Sequence, residues 1–555
     1  MNICTAIITS SMPIRRRGDS ICRAQRRAAD GADKGRSDRV TAMHPSTSFR
    51  AAAALAAALV SAPLAGAQPA PLDQLWTAAR LQTIRDRSTL NLEVIPRAGY
   101  YEVFFDSETD AKWADSQAPY EVHTGGTIRI HGYLAAPAGP VARPALVIGH
   151  GHGGHGDPDL PRVFAALGYG ALSIDGPRAG LSTGGPEDTE QAWISVEERP
   201  NVPAPEVSYL YHWAYAGMRA LTALEALAAV PGNPYHIDGS RLGVAGASMG
   251  GQFTYYVNGI DDRVKAAVGV AVAGDWRNVL QYEGAWLYHG LYYYTRDGMA
   301  SGQDGLNTIA NCDDPTLQTF LDYFDPIRYA PTQHGPLLTI VGSHDQYFVA
   351  PGVNTTFAAV QSAGTSPRFI KRLVIAPNGK HAVVDGPDAI PTILTVIGSI
   401  ERWLQYAFDQ APVPVLTPSV AMGTSGSWMV FRVTAPAGSA PVLGVRLHVA
   451  SQMDSVPELA CDLATVPVYR LRSDFYGFVP IGQRMPCGPP LTPDNVVYFA
   501  SATDSAGSTA SSTLYYRTGE MRFGQGFVPR IEHWRGDDFP VQPAPVCTAG
   551  GKLGA

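Results

Sequence analysis

Short continuous apolar runs recur along the middle of the chain, at residues 144–148, 169–174, 242–247, 264–270, 337–341 and 369–375. Such runs read as strands buried on both faces of a parallel sheet. Helical periods separate them, at 160–167, 207–230, past Ser248 through Tyr255 and Val257, at 354–362 and at 389–408. In the second of these, Leu210, Trp213, Gly217, Leu221, Leu224 and Ala228 fall on one stripe, which predicts an amphipathic helix that Pro231-Gly232-Asn233-Pro234 stops. The alternation predicts an α/β fold with a doubly wound, mostly parallel sheet over 68–410. Upstream of it, 72–87 reads as helical, 100–105 as extended and 127–134 as an alternating strand.

The rhythm breaks twice. Residues 276–330 carry Trp276, Tyr282, Trp286, Tyr288, Tyr292, Tyr293 and Tyr294, then a Gly/Asp/Asn-rich stretch around Cys312. This predicts an insertion over the C-terminal edge of the sheet, a lid whose Trp286, Tyr292 and Tyr293 line a substrate pocket. The other reading is that the rings pack the core of an ordinary extra helix. Past Pro412-Val413-Pro414 the pattern becomes short alternating runs at 429–433, 444–449, 496–502 and 513–516, divided by Gly, Ser and Pro. That predicts a β-sandwich of immunoglobulin or fibronectin type over 412–530, followed by an irregular tail at 531–555.

The first 67 residues are of another kind. Residues 43–67 have Arg50, an Ala/Leu/Val stretch and Ala65-Gly66-Ala67 as a small-residue cleavage site, the layout of a secretory signal. Residues 1–42 are Arg-rich and without periodicity, so Met43 is the expected initiator. Secretion or delivery to the periplasm follows, and there cysteines oxidise. Of the four cysteines beyond the signal, Cys461 and Cys487 are the expected pair, since both lie in the C-terminal region and close a modest loop. A net charge of -7 argues against a nucleic-acid partner, and no internal run is long and apolar enough to span a bilayer.

The chemistry centres on Gly246-Ala247-Ser248-Met249-Gly250-Gly251. An apolar strand ends here, a helix begins, and the serine sits between glycines that a tight turn requires. The stretch resembles the nucleophile elbow of the α/β-hydrolase superfamily. A serine hydroxyl needs a base to take its proton, and the base needs an acid to fix its tautomer. The superfamily supplies these in the chain order Ser, acid, His. Asp345 follows the strand at 337–341 and His381 follows the strand at 369–375, so each leaves the same sheet edge as Ser248. The expected roles are nucleophile for Ser248, general base then acid for His381 and orienting carboxylate for Asp345, with Asp385 the competing acid.

An oxyanion needs donors. The resemblance implies the backbone N–H of Met249 and one from the loop Gly149-His150-Gly151-His152-Gly153-Gly154-His155-Gly156, namely that of His152, with Gly153 as alternative. His150, His152 and His155 also raise a metal reading, which lacks a carboxylate cluster. The chemistry implied needs no metal and no cofactor.

Asp238…Arg241-Leu242-Gly243, Ser248-Met249-Gly250-Gly251, Asp262-Arg263-Val264 and Asp325-Pro326 are similar to the dienelactone hydrolase, acetyl xylan esterase and prolyl-oligopeptidase branch. Pro377-Asn378…His381 and the appended β-domain also resemble PhoPQ-activated pathogenicity-related proteins. The segment before the first hydrolase strands is too short for a prolyl-oligopeptidase propeller, and Ser248 excludes dehalogenase chemistry. The expected activity is therefore serine esterase action on a small-molecule or polymeric ester. Amide or peptide cleavage by the same triad is the alternative, and a non-catalytic surface protein, with glycan or protein contact through the C-terminal domain, is the other.

Overall fold

The computed structural model describes residues 72–110, 126–188, 192–193, 197–199, 202–280, 315–386, 389–451, 453–454, 461–523 and 527–528. The signal segment 43–67, Trp286, Tyr292, Tyr293, Cys312 and the tail 531–555 lie outside them.

The central sheet has nine strands: β1 (Glu93–Arg97), β2 (Tyr100–Asp110), β3 (Gly126–Ala135), β4 (Arg143–Gly149), β5 (Gly170–Ile174), β6 (Ile237–Ala247), β7 (Val264–Val270), β8 (Leu337–Gly342) and β9 (Lys371–Ala376). Their spatial order is β1-β2-β3-β5-β4-β6-β7-β8-β9. From β5 to β9 all neighbours run parallel, and β1 to β3 add antiparallel strands at one edge. This is the α/β-hydrolase arrangement that the motifs imply. The continuous apolar runs have their reason in it. In β4, Ala145 and Val147 join the core on one face while Leu146 and Ile148 join the core on the other. A strand buried on both sides has no polar face to alternate with.

Helices α1 (Leu72–Leu75) and α2 (Ala78–Arg85) precede the sheet. They are followed by α3 (Asp159–Ala166), α4 (Tyr209–Ala228), α5 (Met249–Ile260), the short turn α6 (Trp276–Val279), α7 (Pro315–Phe324), α8 (Ala350–Ala359) and α9 (Ala389–Asp409). Helix α4 departs from the expected stripe: every residue from Tyr209 to Leu224 is buried. The N-terminal segment covers its outer side. Trp76 stacks on Tyr211 at 5.1 Å, and Thr222 donates to the carbonyl of Ile84 at 2.8 Å. The buried guanidinium of Arg219 donates to the carbonyls of Ile84, Asp86 and Asp106 at 3.0, 2.8 and 3.0 Å. A buried cation is tolerable only with its donors filled, and here backbone carbonyls fill them.

The C-terminal part forms two antiparallel sheets. One contains β10 (Ser419–Ser425), β11 (Trp428–Thr434), β14 (Val468–Leu471) and β15 (Asp474–Pro480). The other contains β12 (Val442–Ala450), β13 (Ala464–Val466), β16 (Val497–Asp504), β17 (Thr509–Ser511), β18 (Tyr515–Tyr516) and β19 (Gly519–Glu520). Met429, Phe431 and Val433 of β11 meet Leu447, Val449 and Tyr498 in a core between the sheets. The period-two burial is that of a β-sandwich strand. Cys461 and Cys487 are joined by a disulfide, as the sequence suggested.

The sandwich lies against the edge of the central sheet. The N–H of Ile375 in β9 donates to Ser511 Oγ at 3.0 Å, and the N–H of Thr509 to Ser399 Oγ in α9 at 3.2 Å. Asn354 in α8 donates to the carbonyls of Leu514 and Met521 at 2.8 and 3.0 Å and accepts from the N–H of Leu514 at 3.0 Å. An edge strand left open would offer its free amides to any other strand, and Ser511 takes that of Ile375.

Where α4 crosses α5, Gly217 admits Phe253 so closely that a Cβ there would lie 2.1 Å from the ring. Phe253 is itself held between Trp213 and Gly149. Gly217→Ala is expected to lower stability by about 1–3 kcal/mol, the cost of overpacking a filled core. A thermal melt with an unchanged midpoint would show that the ring moves freely.

Candidate active site

Strand β6 delivers Ser248 and helix α5 starts at the next residue. Ser248 has φ 60° and ψ -121°, a conformation L-residues avoid, so the chain turns within one residue and the hydroxyl stands clear. Two glycines make the turn. A Cβ on Gly246 would come within 2.4 Å of the carbonyl oxygen of Gly250, and one on Gly250 within 2.2 Å of that of Gly149. The N–H of Ser248 is tied to the carbonyl of Val270 in β7 at 2.9 Å.

The structure brings Asp345 and His381 to this serine. Ser248 Oγ lies 2.8 Å from His381 Nε2, and His381 Nδ1 lies 3.1 and 3.0 Å from the two carboxylate oxygens of Asp345. The Asp345 side chain is fully buried, and its Oδ1 also accepts from the N–H groups of Tyr347 and Phe348 at 2.8 and 2.9 Å. Donors on three sides fix the carboxylate, which in turn fixes the imidazole with its proton on Nδ1 and Nε2 free to accept. The ring of Tyr347 lies 4.4 Å from that of His381. Asp385 takes no part in this, since its Oδ1 accepts from the N–H of Lys380 at 2.8 Å.

Met249 is the first residue of α5, so its N–H has no acceptor within the helix and carries the positive end of the helix dipole. The loop after β4 stands opposite. His150 is buried, with Nδ1–H donating to the carbonyl of Gly151 at 2.7 Å and Nε2 accepting from the N–H of Gly176 at 2.9 Å. Burial holds its pKa below the usual range, so it stays neutral and serves as a strut. His152 projects further, its ring 4.9 Å from Trp193. Gly153 has φ +67° and its N–H donates to Asp188 Oδ2 at 2.8 Å, which engages the alternative donor. Asp188 also accepts from the Trp193 indole at 2.9 Å and lies 3.9 Å from His152 Nε2.

Two carboxylates that hold the loops escaped the sequence reading. Asp188 is one. Asp175 is the other: it accepts from the N–H of Gly156 at 2.6 Å and of Leu181 at 2.8 Å, and pairs with buried His131 at 2.7 Å. Nothing in a single chain marks such residues, because an aspartate in a glycine-rich loop has the same local context whether it is solvated or tied down. At the root of the insertion, Asp325 accepts from the N–H groups of Asp275, Trp276 and Ile327 at 2.9, 2.7 and 3.1 Å. It thus joins both ends of the 276–330 segment, and burial pushes its carboxyl up to about 7. Trp286, Tyr292 and Tyr293 are outside the described residues. Among the described residues no group of three or more His, Cys, Asp or Glu is placed to hold a metal ion, and no helix is long and apolar enough to cross a membrane.

Comparison with known proteins gives three kinds of likeness. The model of the PhoPQ-activated pathogenicity-related protein family matches residues 207–453. A dipeptidyl-peptidase 5 of Porphyromonas gingivalis is 27% identical over 197 residues, covering 34% of this chain, and the chain spans about a quarter (25%) of that relative's length. Among solved structures, the acetyl xylan esterase of Paenibacillus sp. R4 is 18% identical with a TM-score of 0.40, covering 56% of this chain and 88% of that one. An acylaminoacyl peptidase of Pyrococcus horikoshii is 14% identical with a TM-score of 0.36, covering 58% of this chain and 42% of that one. The resemblance to PhoPQ-activated pathogenicity-related proteins read from the motifs is thus met by a family model over residues 207–453.

Gly250→Ala is expected to push α5 away from the carbonyl of Gly149. Reaction of Ser248 with a fluorophosphonate should then slow at least roughly tenfold in a protein that still folds, since misplacing a reacting group by a fraction of an ångström costs that much. An unchanged labelling rate would mean that the elbow tolerates a Cβ.

Proposed function

We propose that this chain is an exported serine hydrolase that cleaves carboxylic esters through an acyl-enzyme. The observation that carries the reading is the unbroken line of hydrogen bonds from Ser248 Oγ through His381 to the buried carboxylate of Asp345, with the serine on a strained turn.

In this reading the Ser248 proton passes to His381 Nε2 as Oγ forms a bond to the ester carbonyl carbon. The oxyanion is held by the N–H groups of Met249 and His152, and the buried Asp345 stabilises the imidazolium. His381 returns the proton to the leaving alkoxide as the carbon–oxygen bond breaks. Water, with His381 again as base, then releases the carboxylic acid. The glycines on either side of the elbow let two backbones meet at the oxyanion without side chains between them.

The signal-like segment 43–67 and the Cys461–Cys487 disulfide both fit an oxidising compartment outside the cytoplasm. Tyr347 beside His381 and Trp193 beside His152 put aromatic rings near the reacting groups. With Trp286, Tyr292 and Tyr293 of the insertion, they suit an aryl, acetylated-sugar or polyester substrate. The similarity to a dipeptidyl-peptidase supports a second reading, amide cleavage by the same groups.

The chain from Gln68 onward is expected to react with a fluorophosphonate and to hydrolyse p-nitrophenyl acetate. Ser248→Ala should abolish labelling. His381→Ala and Asp345→Asn should each reduce kcat by roughly 10⁴-fold or more, as for members of a unit that acts together. A folded wild type that neither labels nor turns over would sink the reading. Faster turnover of matched p-nitroanilides than of esters would move it to amides.

A further inference from the structure

We infer that the C-terminal β-domain takes part in the active site as a support: its segment at residues 461–463 positions His381 against Asp345 through two residues, Asn378 and His344. The inference rests on the acyl-transfer reading of Ser248, Asp345 and His381.

The acid and the base stand on two neighbouring loops. One leaves β8 as Ser343-His344-Asp345, the other leaves β9 as Pro377-Asn378-Gly379-Lys380-His381. The loops continue the pairing of their strands for a short distance, with the N–H of Ser343 on the carbonyl of Ala376 at 3.0 Å and that of His344 on Gly379 at 2.8 Å. Beyond this the sandwich takes over. Asn378 Oδ1 accepts from the N–H of Leu463 at 2.7 Å, and its Nδ2 donates to the carbonyl of the same residue at 3.2 Å. The side chain thereby mimics a strand neighbour to the third chain. Its own backbone sits at φ 61°, a left-handed conformation that asparagine accepts more readily than most residues.

His344 makes the second link. Its Nε2 is 3.2 Å from the carbonyl of Cys461, so that nitrogen carries the proton and donates. Its Nδ1 must then accept, and it does so from the Ser343 hydroxyl at 2.7 Å. Ser343 Oγ in turn accepts from the N–H of Asn378 at 2.8 Å. Along this line each donor points the same way, from the Asn378 N–H through Ser343 and His344 to the carbonyl of Cys461. The arrangement requires a neutral imidazole, and burial favours that form.

The segment that receives both links is itself held. Cys461 is disulfide-bonded to Cys487, and Leu463 is buried in the same core as the sheet residues Val341 and Ile375. Two links, one from each loop, thus end on a cross-linked stretch within three residues of each other. Asp345 touches His381 and His381 touches Ser248, whereas Asn378 and His344 touch no reacting group. They are positioning residues.

The test uses the full chain with Asn378→Gly, which keeps the left-handed backbone and deletes the link, and Asn378→Asp, which restores the acceptor for the N–H of Leu463. His344→Leu serves as a second variant that cuts the other link. Active sites are titrated with a fluorophosphonate, and p-nitrophenyl acetate turnover is expressed per titrated site. For Asn378→Gly, kcat per site is expected to fall roughly tenfold to a hundredfold with KM within about twofold, and Asn378→Asp to recover part of the loss. Nitrogen-15 spectra of the His381 imidazole should show the Nδ1–H tautomer in the wild type and a mixture in Asn378→Gly. Fewer active sites with wild-type kcat per site and a wild-type imidazole spectrum, in both Asn378→Gly and His344→Leu, would overturn the inference, since that is what a merely stabilising contact gives. A wild type inert to esters whose imidazole spectrum still changes in Asn378→Gly would sink the ester reading and leave the positioning role standing.

Discussion

The close approach of two backbones at the elbow is the constraint on which the rest depends. The carbonyl of Gly149 faces Gly250 at a distance that leaves no room for a side chain. That contact sets β4, β6 and α5 in one fixed relation, places the loop after β4 opposite the start of α5, and leaves Ser248 in a conformation it would not hold alone. Such strain of roughly 1–3 kcal/mol persists only when the surroundings over-determine it. Here they do so through the tie of Ser248 to β7 and the packing of Phe253 under Gly149 and Gly217.

Burial follows from the same constraint. The helices that flank β4 and β6 must press close, and the first of them, α4, is enclosed on its outer side as well. The N-terminal segment reaches over it and is held by Arg219 and Thr222. The layer usually given to solvent is therefore interior, and Arg219 inside it is satisfied by backbone carbonyls rather than by an opposite charge.

Much of this was legible in the chain. Strands buried on both faces announce themselves as continuous apolar runs, and 264–270 matches β7 residue for residue. The meeting of three side chains was legible because parallel strands of a doubly wound sheet all end at one edge, so chain order gathers Ser248, Asp345 and His381. The stripe on α4 misled, because small residues such as Ala214, Ala216 and Ala220 can be interior or exposed with the same pattern. Strands β1, β10, β13, β14, β15, β17 and β19 were missed, since their runs barely alternate and are fixed by pairing register rather than by composition. Asp188, Asp175, Asn378 and His344 were illegible for a different reason. Each has among its partners a backbone group well separated in sequence, of Gly153, Gly156, Leu463 or Cys461, and a backbone group leaves no trace in the residue that will meet it.

The covered edge of the sheet bears on how the molecule is made. Strand β9 finishes at Ala376, and Ser511, which caps its Ile375 amide, comes more than a hundred residues later. On a chain synthesised from its N-terminus, the central sheet is complete while its last strand is still bare. During that interval the strand offers unpaired amides and apolar side chains to any neighbour, the situation in which chains aggregate. A chain that ends before the sandwich keeps that exposure for good. The appended domain therefore matters to the yield of the molecule before it matters to its chemistry.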